Sequence, residues 1–555
     1  MSFADKVIYQ IYPKSFYDST GSGVGDLRGV IEKVSYIASL GVDMVWFNPF
    51  FASPQKDNGY DISNYYAIEP SMGTMSDLEE LIAALDEHGI GVMFDMVFNH
   101  VSTEHEWFQR ALAGEKEYQD FFYLQPAQVN GSLPTNWKSK FGGPAWEPFG
   151  DTNLYYLHLY DVSQADLNWH NPRVRQELFN VVNFWRDKGV RGFRFDVINV
   201  IGKDEVLLDA PEGTLDKLMY TDTPRVHTWV KEMNRASFGN DANSVTVGEL
   251  SSTTIENGVL YSAPARDELS MIFSFHHLKV DYDAGNKWSR VPFDFEALKG
   301  LWHGWAEGVQ AGNGWNALFL NNHDQPRALN RFGDVETYRV ESATMLAAAV
   351  HLSRGTPYIY MGEEIGMVDP VYSSMDDYVD VEAHNAFATL RESGLSEAQA
   401  FEVVVSKARD NSRTPMQWDA SAHAGFTSGT PWLGTADYAE INVEAEQREG
   451  KILPFYKKLI ALRHEYPVIS RGRYTPWVAD HRSVYAFTRQ DGEGSAATEL
   501  LVLNNFYGEA TDVSVPERFI GGQVLISNYS ADAPTSGAYR LLPYQTLAVL
   551  IQGGQ

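Results

Sequence analysis

Three acidic residues stand at or just past the end of apolar runs that predict buried strands. They are Asp196 in RGFRFDV (191–197), Glu249 in TVGEL (246–250) and Asp324 in NNHDQPR (321–327). Burying a charged carboxylate costs several kcal/mol unless a partner pairs with it, so such residues stabilise a core poorly. Three carboxylates in strand order instead supply what glycosidic cleavage needs: a nucleophile, a general acid and a helper.

The neighbours of these carboxylates suggest a role for each. Side chains alternate along a strand, so Arg194 and Asp196 share one face, and a guanidinium there lowers the pKa of a carboxyl, as a nucleophile requires. A structural ion pair is the alternative. Glu249 follows an apolar strand without a basic neighbour, which favours the protonated form of a general acid; a solvated loop glutamate is the alternative. Asp324 follows His323 in a polar cluster more typical of a site than of a turn.

The composition is that of a large globular protein with excess negative charge. The 555 residues are 44% hydrophobic and 21% charged, enough for one large domain and a smaller one. A net charge of −29 argues against binding to nucleic acid, and no apolar run approaches the ~18 residues of a membrane span. The chain has no cysteine, and MSFADKVIYQIYP (1–13) lacks the features of a secretory signal. We expect a cytoplasmic protein with a small-molecule partner; the sequence leaves its oligomeric state open.

Apolar periodicity predicts strands that alternate with helices along most of the chain. The predicted strands are VIYQIY (7–12), DMVWFN (43–48), GVMFDMVF (91–98), GFRFDVI (192–198), SVTVGEL (244–250), SMIFSF (270–275), ALFLNN (317–322) and TPYIYM (356–361). The helices between them include one with a capping box formed by Ser76 and Glu79, and others at 173–188, 223–236, 294–308, 338–353 and 451–466. This is the element count of a (β/α)8 barrel.

The breaks in this pattern predict the domains. Residues 100–171 are rich in aromatic residues, glycine and proline, and predict an inserted domain after strand three. From about residue 471 the runs become short and alternating, which predicts an antiparallel β-sandwich domain over 471–555. The expected fold is therefore an α/β TIM barrel, (β/α)8, formed by 1–99 and 172–470 with these two additions.

The motifs of the chain together resemble those of glycoside hydrolase family 13, the α-amylase family, over nearly the whole length. The matching stretches are QIYPKSF (10–16), GDLRGV (25–30), DNGYD (57–61), DMVFNH (95–100), QADLNW (164–169), RGFRFDV, VGEL, NNHDQPR, TPYIYMGEEIGM (356–367) and NSRTPMQWD (411–419). The resemblance implies a retaining mechanism. By position it implies Asp196 as nucleophile, Glu249 as general acid/base and Asp324 as the carboxylate that helps to stabilise the transition state.

The resemblance also implies which residues hold the sugar. The matching positions are Asp57, Tyr60, His100, Arg194, His323 and Arg413. Asp57 and Tyr60 would close the glucose pocket, the first through sugar hydroxyls and the second by stacking, and His100 would donate to the non-reducing glucose. From the residues alone, His100 would be a core histidine and Tyr60 a loop-packing residue.

The segment DSTGSGVGD (18–26) has the spacing of a calcium loop. Its candidate ligands are the side chains of Asp18, Thr20, Ser22 and Asp26 and the carbonyl of Val24. Related α-glucosidases carry a metal in this loop, generally with more acidic ligands. One bound Ca²⁺ and a plain glycine-rich turn are the two alternatives, and no motif for an organic cofactor is visible.

Within the family, the chain resembles the α-glucosidases that act on trehalose 6-phosphate. The resemblance lies in GELSSTT (248–254) and in the segment 268–295, and implies hydrolysis to glucose and glucose 6-phosphate. The alternative is an oligo-1,6-glucosidase or dextran glucosidase acting on isomalto-oligosaccharides. The candidate phosphate ligands are Lys279, Lys287, His277 and Arg290, after strand six; a solvated rim is the alternative. A non-catalytic sugar-binding module would not need three carboxylates.

Overall fold

The computed structural model describes residues 3–553, in two compact units. The first unit comprises Met1–Val45, His88–Ile90 and Phe275–Gln555, and the second comprises Trp46–Glu87 and Gly91–Ser274. Each unit is described separately below. Among the described residues, none of the helices has the length and apolar character needed to cross a membrane.

Eight strands in the described part of the chain pair in parallel. They are β1 (Ile8–Ile11), β2 (Met44–Phe47), β3 (Gly91–Val97), β4 (Gly192–Asp196), β5 (Val245–Leu250), β6 (Met271–Ser274), β7 (Ala317–Leu318) and β8 (Thr356–Tyr360). The second unit contains the order β6-β5-β4-β3-β2, and the first contains β1-β8-β7, with β2 starting in the first unit and ending in the second. Parallel neighbours that follow one another in the chain are the arrangement of a (β/α)8 barrel.

Helices follow the strands in both units. They are α1 (Leu27–Glu32), α2 (Val34–Leu40), α3 (Met75–Asp86), α4 (Pro172–Asp187), α5 (Pro224–Ala236), α6 (Ile255–Ser262), α7 (Phe295–Ala311), α8 (Arg339–His351) and α9 (Ile452–Glu465). One predicted cap is wrong: the capping box that begins α3 is formed by Thr74 and Asp77, not by Ser76 and Glu79. The same Thr-x-x-acid spacing occurs two residues earlier, and it is this pair whose side chains and backbone amides bond reciprocally.

The second unit shows why these sequences form a barrel layer. Burial covers almost all of β3, as a parallel strand with both faces covered requires. The helix α4 begins at Asn171, whose side chain accepts a hydrogen bond from the amide of Arg173, and Pro172 fits its first turn. At the other end of α4, Trp185 packs edge-to-face on Phe94 of β3 at a ring distance of 5.2 Å. Helix and strand thus bury their apolar faces against each other.

Residues 100–171 contain short elements of their own within the second unit. His100–Ser102 pairs with Gln164–Asp166, and Leu154–Leu157 pairs on its two sides with Leu124–Pro126 and Trp146–Pro148, all antiparallel. The helices here are Glu106–Leu112 and Lys116–Gln119. The predicted limits of the inserted domain, 100–171, stay a prediction.

The C-terminal part of the first unit is antiparallel. Its strands are β9 (Arg473–Trp477), β10 (Val484–Asp491), β11 (Thr498–Asn505), β12 (Thr511–Ser514), β13 (Gln523–Ser527), β14 (Ala538–Leu541) and β15 (Thr546–Gln552). Five of them form a sheet in the order β9-β10-β11-β15-β13, and β12 pairs with β14. Leu501 and Val549 of the larger sheet share a buried cluster with Val513 and Leu541 of the smaller one, so the two sheets enclose one apolar core.

Candidate active site

Arg194 lies at the centre of a buried carboxylate cluster in the second unit. Its Nη1 donates to Asp95 Oδ1 at 2.6 Å and to Asp196 Oδ1 at 2.7 Å, and its Nη2 donates to Glu249. The strand register explains these contacts, because Arg194 is aligned with Asp95 of β3 and with Val247 of β5. Glu249 is two residues beyond Val247 and therefore lies on the same face, at the level of Asp196.

Burial dominates the electrostatics of this cluster. It raises the pKa of Asp196 well above its usual value, with Arg194 acting in the opposite direction and the carboxyl of Glu249 adding to the increase. The expectation of a lowered pKa for Asp196 is therefore wrong for the net shift. Burial also raises the pKa of Asp95 to about 6. One guanidinium faces three buried carboxyl groups, an arrangement that favours retention of a proton within the cluster.

The sugar-binding residues predicted in this unit lie around the same cluster. The hydroxyl of Tyr60 donates to Asp95 Oδ2 at 2.8 Å, and its backbone carbonyl lies 3.2 Å from His100 Nε2. Gln164 Nε2 donates to Asp57 Oδ2 at 3.0 Å and to the Tyr60 carbonyl at 3.2 Å. Burial lowers the pKa of His100 to about 4, so its ring is neutral at pH 7 and Nε2 donates to the carbonyl.

The remaining predicted site residues form a second cluster, in the first unit. Asp324 Oδ2 lies 3.2 Å from His323 Nε2, and Asp324 Oδ1 accepts from Arg413 Nη2 at 3.0 Å. Arg413 Nε also donates to the His323 carbonyl at 2.8 Å. Arg409 Nη1 lies 3.3 Å from Asp324 and pairs through its other nitrogens with buried Asp380. Two arginines therefore orient Asp324.

Comparison with known proteins identifies the family of the chain. A model of the α-amylase catalytic domain matches residues 10–472. The chain belongs to the α-amylase family. This confirms the predicted membership of glycoside hydrolase family 13, and with it a (β/α)8 barrel followed by a C-terminal antiparallel β domain. The chain is accordingly a glycoside hydrolase.

Similar proteins of known name include two kinds of glucoside hydrolase. Over 98% of the chain, it is 47% identical to the trehalose-6-phosphate hydrolase of Bacillus subtilis, of which 96% is covered. It is 43% identical to the oligo-1,6-glucosidase of Parageobacillus thermoglucosidasius, over 98% of this chain and 97% of that protein. The crystal structure of Bacillus licheniformis trehalose-6-phosphate hydrolase is 48% identical, with a TM-score of 0.94 over 99% of each chain.

The candidate phosphate ligands of this family member lie in the first unit, in different surroundings. Lys287 Nζ is 2.7 Å from Glu382, and Arg290 Nη1 is 2.7 Å from Glu402. His277 is buried, and its Nε2 donates to the Phe319 carbonyl at 2.9 Å. Burial lowers the pKa of His277 to about 4, so its ring carries no charge at pH 7.

Lys279, the fourth candidate, ends the 3₁₀ helix His276–Lys279 and is half-buried. Of the four residues, Lys287 and Arg290 thus already neutralise carboxylates, and His277 supplies no positive charge. The phosphate site stays a prediction.

The carboxylates of the 18–26 loop accept hydrogen bonds from donors of the protein itself. Asp18 accepts from the amides of Thr20, Gly21 and Gly23 and from the hydroxyls of Thr20, Ser22 and Thr427. Asp26 accepts from the amide and hydroxyl of Ser19 and from the amide of Gly29. Ser22 Oγ donates to the Val24 carbonyl at 3.1 Å. Among the residues described, no group of three or more His, Cys, Asp or Glu could hold a metal.

Sequence reasoning missed several residues that support the two clusters. Asp95 was visible as the one charged residue in the apolar run GVMFDMVF. Arg409 precedes the NSRTPMQWD motif, and only its contact with Asp324 reveals its place. Lys203 Nζ lies 2.8 Å from Asp166, and both side chains are fully buried. Lys203 also donates to the side chain of Asn99, the residue before His100. No sequence signal joins these last residues, because the contacts span 37 and 104 positions.

Proposed function

We propose that the chain hydrolyses trehalose 6-phosphate to glucose and glucose 6-phosphate with retention of anomeric configuration. The observation that carries the substrate is the identity of 46–47% with trehalose-6-phosphate hydrolases over 98% of the chain, against 40–43% for oligo-1,6-glucosidases of similar coverage. The buried cluster around Arg194 supports the chemistry, because it combines two carboxyls at one level of adjacent strands with a single compensating charge.

The proposed mechanism has two steps. First, the Asp196 carboxylate attacks the anomeric carbon while Glu249 donates its proton to the leaving glycosidic oxygen, which releases glucose 6-phosphate. Glu249, now ionised, then removes a proton from water, and the water oxygen displaces Asp196 from the glucosyl group. The pair must therefore start with its one proton on Glu249. The charge of Arg194, 2.7 Å from Asp196, favours the ionised nucleophile and opposes the effect of burial. By its position in the family pattern, Asp324 is proposed to stabilise the transition state.

The arrangement of Tyr60, His100 and Asp57 supports a pocket for an unsubstituted glucose. All three side chains are buried, and Asp57 and Tyr60 are held by Gln164 and Asp95. A phosphate placed there would meet the carboxylates of Asp57 and Asp95, which would repel it. The 6-phosphate must therefore belong to the second sugar, which becomes the leaving group.

Recognition of that phosphate is proposed for Lys279 and Lys287, with His277 and Arg290 as weaker candidates. Lys287 now pairs with Glu382, so a phosphate that binds it must displace or share this carboxylate. Hydrogen bonds to charged groups contribute about 1.5–3 kcal/mol each. Two such contacts would give a preference of about 10²–10⁴ in kcat/KM for the phosphorylated substrate over trehalose.

A side-by-side assay tests this assignment. The purified protein is offered trehalose 6-phosphate, trehalose, isomaltose and sucrose, and kcat/KM is measured for each. We expect trehalose 6-phosphate to be cleaved best, and Lys279→Ala and Lys287→Ala to reduce its advantage while sparing a neutral nitrophenyl glucoside. Lys458→Ala, a change at an exposed lysine of the same unit, is the control. A wild-type protein that prefers isomaltose would instead support the oligo-1,6-glucosidase alternative. Relatives named oligo-1,6-glucosidase are 40–43% identical to the chain.

The reaction needs no organic cofactor, and the calcium prediction does not fit the 18–26 loop well. Each carboxylate oxygen of Asp18 and Asp26 already accepts at least one hydrogen bond. The hydroxyls that would face an ion donate within the loop instead. We infer that the loop is stable without a metal. Because sugar phosphates do not cross membranes unaided, we place the reaction in the cytoplasm.

A further inference from the structure

A basic groove runs along one face of α5 in the second unit, outside the residues assigned to the carboxylate cluster. The cavity has a volume of about 750 Å³ and is lined by His227, Lys231 and Arg235 of α5 and by Arg266 of the 3₁₀ helix Pro264–Arg266. The three α5 residues are four positions apart and therefore share one side of the helix. The groove has the volume of a typical small-molecule site.

The carboxylates near this groove are already engaged. Glu268 is 2% exposed and accepts a hydrogen bond from Arg266 Nη2 at 2.9 Å. Its carboxylate also lies 2.7 Å from His227 Nδ1 and 3.7 Å from Lys231 Nζ. Glu232 pairs with Arg175 at 2.8 Å, at the edge of the same groove. One buried acid thus faces two firmly charged groups and a histidine, which leaves positive charge uncompensated.

Arg235 adds a further positive charge. Its guanidinium is exposed to the groove and has no hydrogen-bond or ion-pair partner among the residues that the structure describes. His227 Nε2 likewise has no partner within the described part of the chain, because the bond to Glu268 uses Nδ1. These groups can bind a ligand without first breaking a contact of the protein.

An accumulation of positive charge is unexpected on this chain. With 73 acidic against 44 basic residues, the average surface repels anions. A groove that brings Lys231 and Arg235 of α5 together with Arg266 of the 3₁₀ helix opposes that field locally. Lysine offers phosphate a point charge, and arginine offers it a planar pair of donors. We propose that this groove is a second binding site, for a small anion that bears a phosphate group, either inorganic phosphate or a hexose phosphate.

The test compares two double variants by isothermal titration calorimetry. Lys231→Ala/Arg235→Ala removes the two groove charges that lie on the helix surface and leaves the Arg266–Glu268 pair intact. Lys116→Ala/Lys138→Ala removes two exposed positive charges elsewhere in the same unit and is the matched control. Inorganic phosphate, glucose 6-phosphate and glucose are titrated into each protein at low ionic strength, because added salt screens exposed charges.

We expect the wild type and the control variant to bind inorganic phosphate and glucose 6-phosphate, and the groove variant to bind both about tenfold more weakly. Equal affinity for the two anions would identify phosphate alone as the ligand, and tighter binding of glucose 6-phosphate would identify a hexose phosphate. Glucose should give no difference between the variants. Turnover of a neutral nitrophenyl glucoside should be unchanged in both, which separates this site from the reaction centre.

Two results would overturn the proposal. One is a groove variant that binds both anions as tightly as the wild type. The other is a control variant that loses as much affinity, which would show a general effect of net charge. Neither result depends on which sugar the enzyme cleaves, so the failure of this proposal and the failure of the trehalose 6-phosphate assignment are distinguishable.

Discussion

At the scale of single residues, Arg194 is the positive charge of the proposed reaction centre. It is the one cation in direct contact with Asp95, Asp196 and Glu249 in the described residues of the second unit. A lysine could not take its place, because only a guanidinium presents a fixed fork of donors to several carboxylates at once. The same residue therefore compensates the burial of Asp196 and Glu249.

Replacing Asp196, the proposed nucleophile, should separate chemistry from folding. We expect Asp196→Asn to fold normally and to lose about 10³–10⁵ in kcat, because an amide cannot form the glucosyl ester. Loss of one carboxylate from a crowded buried cluster should not lower the melting temperature. Asp267→Asn, at an exposed aspartate of the same unit, is the matched control. An Asp196→Asn enzyme that retains more than a tenth of the wild-type kcat would rule out Asp196 as the nucleophile.

The identity of these residues could be predicted from the sequence more readily than their charge state. Asp196 and Glu249 could be predicted because an acidic residue at the end of an apolar strand is unusual by itself. The charge state of the cluster could not be predicted, because Asp95 and Glu249 contact Arg194 from positions 99 and 55 residues away in the sequence. The sign of the pKa shift at Asp196 depends on this burial, which local sequence does not reveal.

At the scale of elements, the long parallel strands were predicted within one or two residues, and one short strand was not. The predicted strand 317–322 is only Ala317–Leu318. The side chain of Asn321 accepts from the amide of Ala328, and that of Asn322 from the amide of Asp324. Such side-chain bonds compete with strand pairing and turn the backbone early. Apolar periodicity contains no information on this competition.

The 18–26 loop allows a prediction at this scale. We expect a chelator and added calcium to leave the melting temperature unchanged, because the carboxylate of Asp18 is saturated by protein donors. Asp18→Asn should destabilise the fold by about 1–3 kcal/mol, since the amide group would place a donor against the donors of Gly23 or Thr427. Ser22→Ala, which removes an exposed hydroxyl with one 3.4 Å contact to Asp18, should have little effect.

Thermal unfolding followed by circular dichroism measures both effects. A melting temperature that falls with chelator in the wild type but not in Asp18→Asn would contradict the metal-free loop, because it would identify Asp18 as a metal ligand.

At the scale of the whole molecule, two opposing effects of acid act on stability. The 73 acidic residues repel one another at neutral pH, and their protonation relieves this repulsion. The second effect comes from histidines whose pKa is lowered by burial. The described residues include five of them: His100, His105, His277, His303 and His351. They occur in both units. A neutral buried histidine must gain a charge when the pH falls, so the native state resists a proton that the unfolded chain accepts readily.

His303 provides a direct test of this second effect. Its Nδ1 contacts Tyr474 OH at 2.7 Å, and its buried Nε2 has no hydrogen-bond partner among the described residues, so a proton there would be unsatisfied. Burial lowers its pKa to about 4, against about 6.5 in an unfolded chain. The unfolded state binds more protons between these values, so this contribution to stability is complete above pH 6.5 and is lost as the pH falls towards 4.

We therefore expect the advantage of the wild type over His303→Gln to shrink on acidification. Glutamine can still bond to Tyr474 but does not titrate, so the difference in free energy of unfolding between the two proteins should move by about 2 kcal/mol in favour of the variant between pH 7 and pH 4.5. Urea unfolding at several pH values and constant ionic strength measures it, with exposed His88→Gln as control. The variant-to-wild-type difference isolates one histidine, because the repulsion among the carboxylates is common to both proteins and cancels. A difference that does not change with pH would show that His303 is protonated equally in the folded and unfolded states.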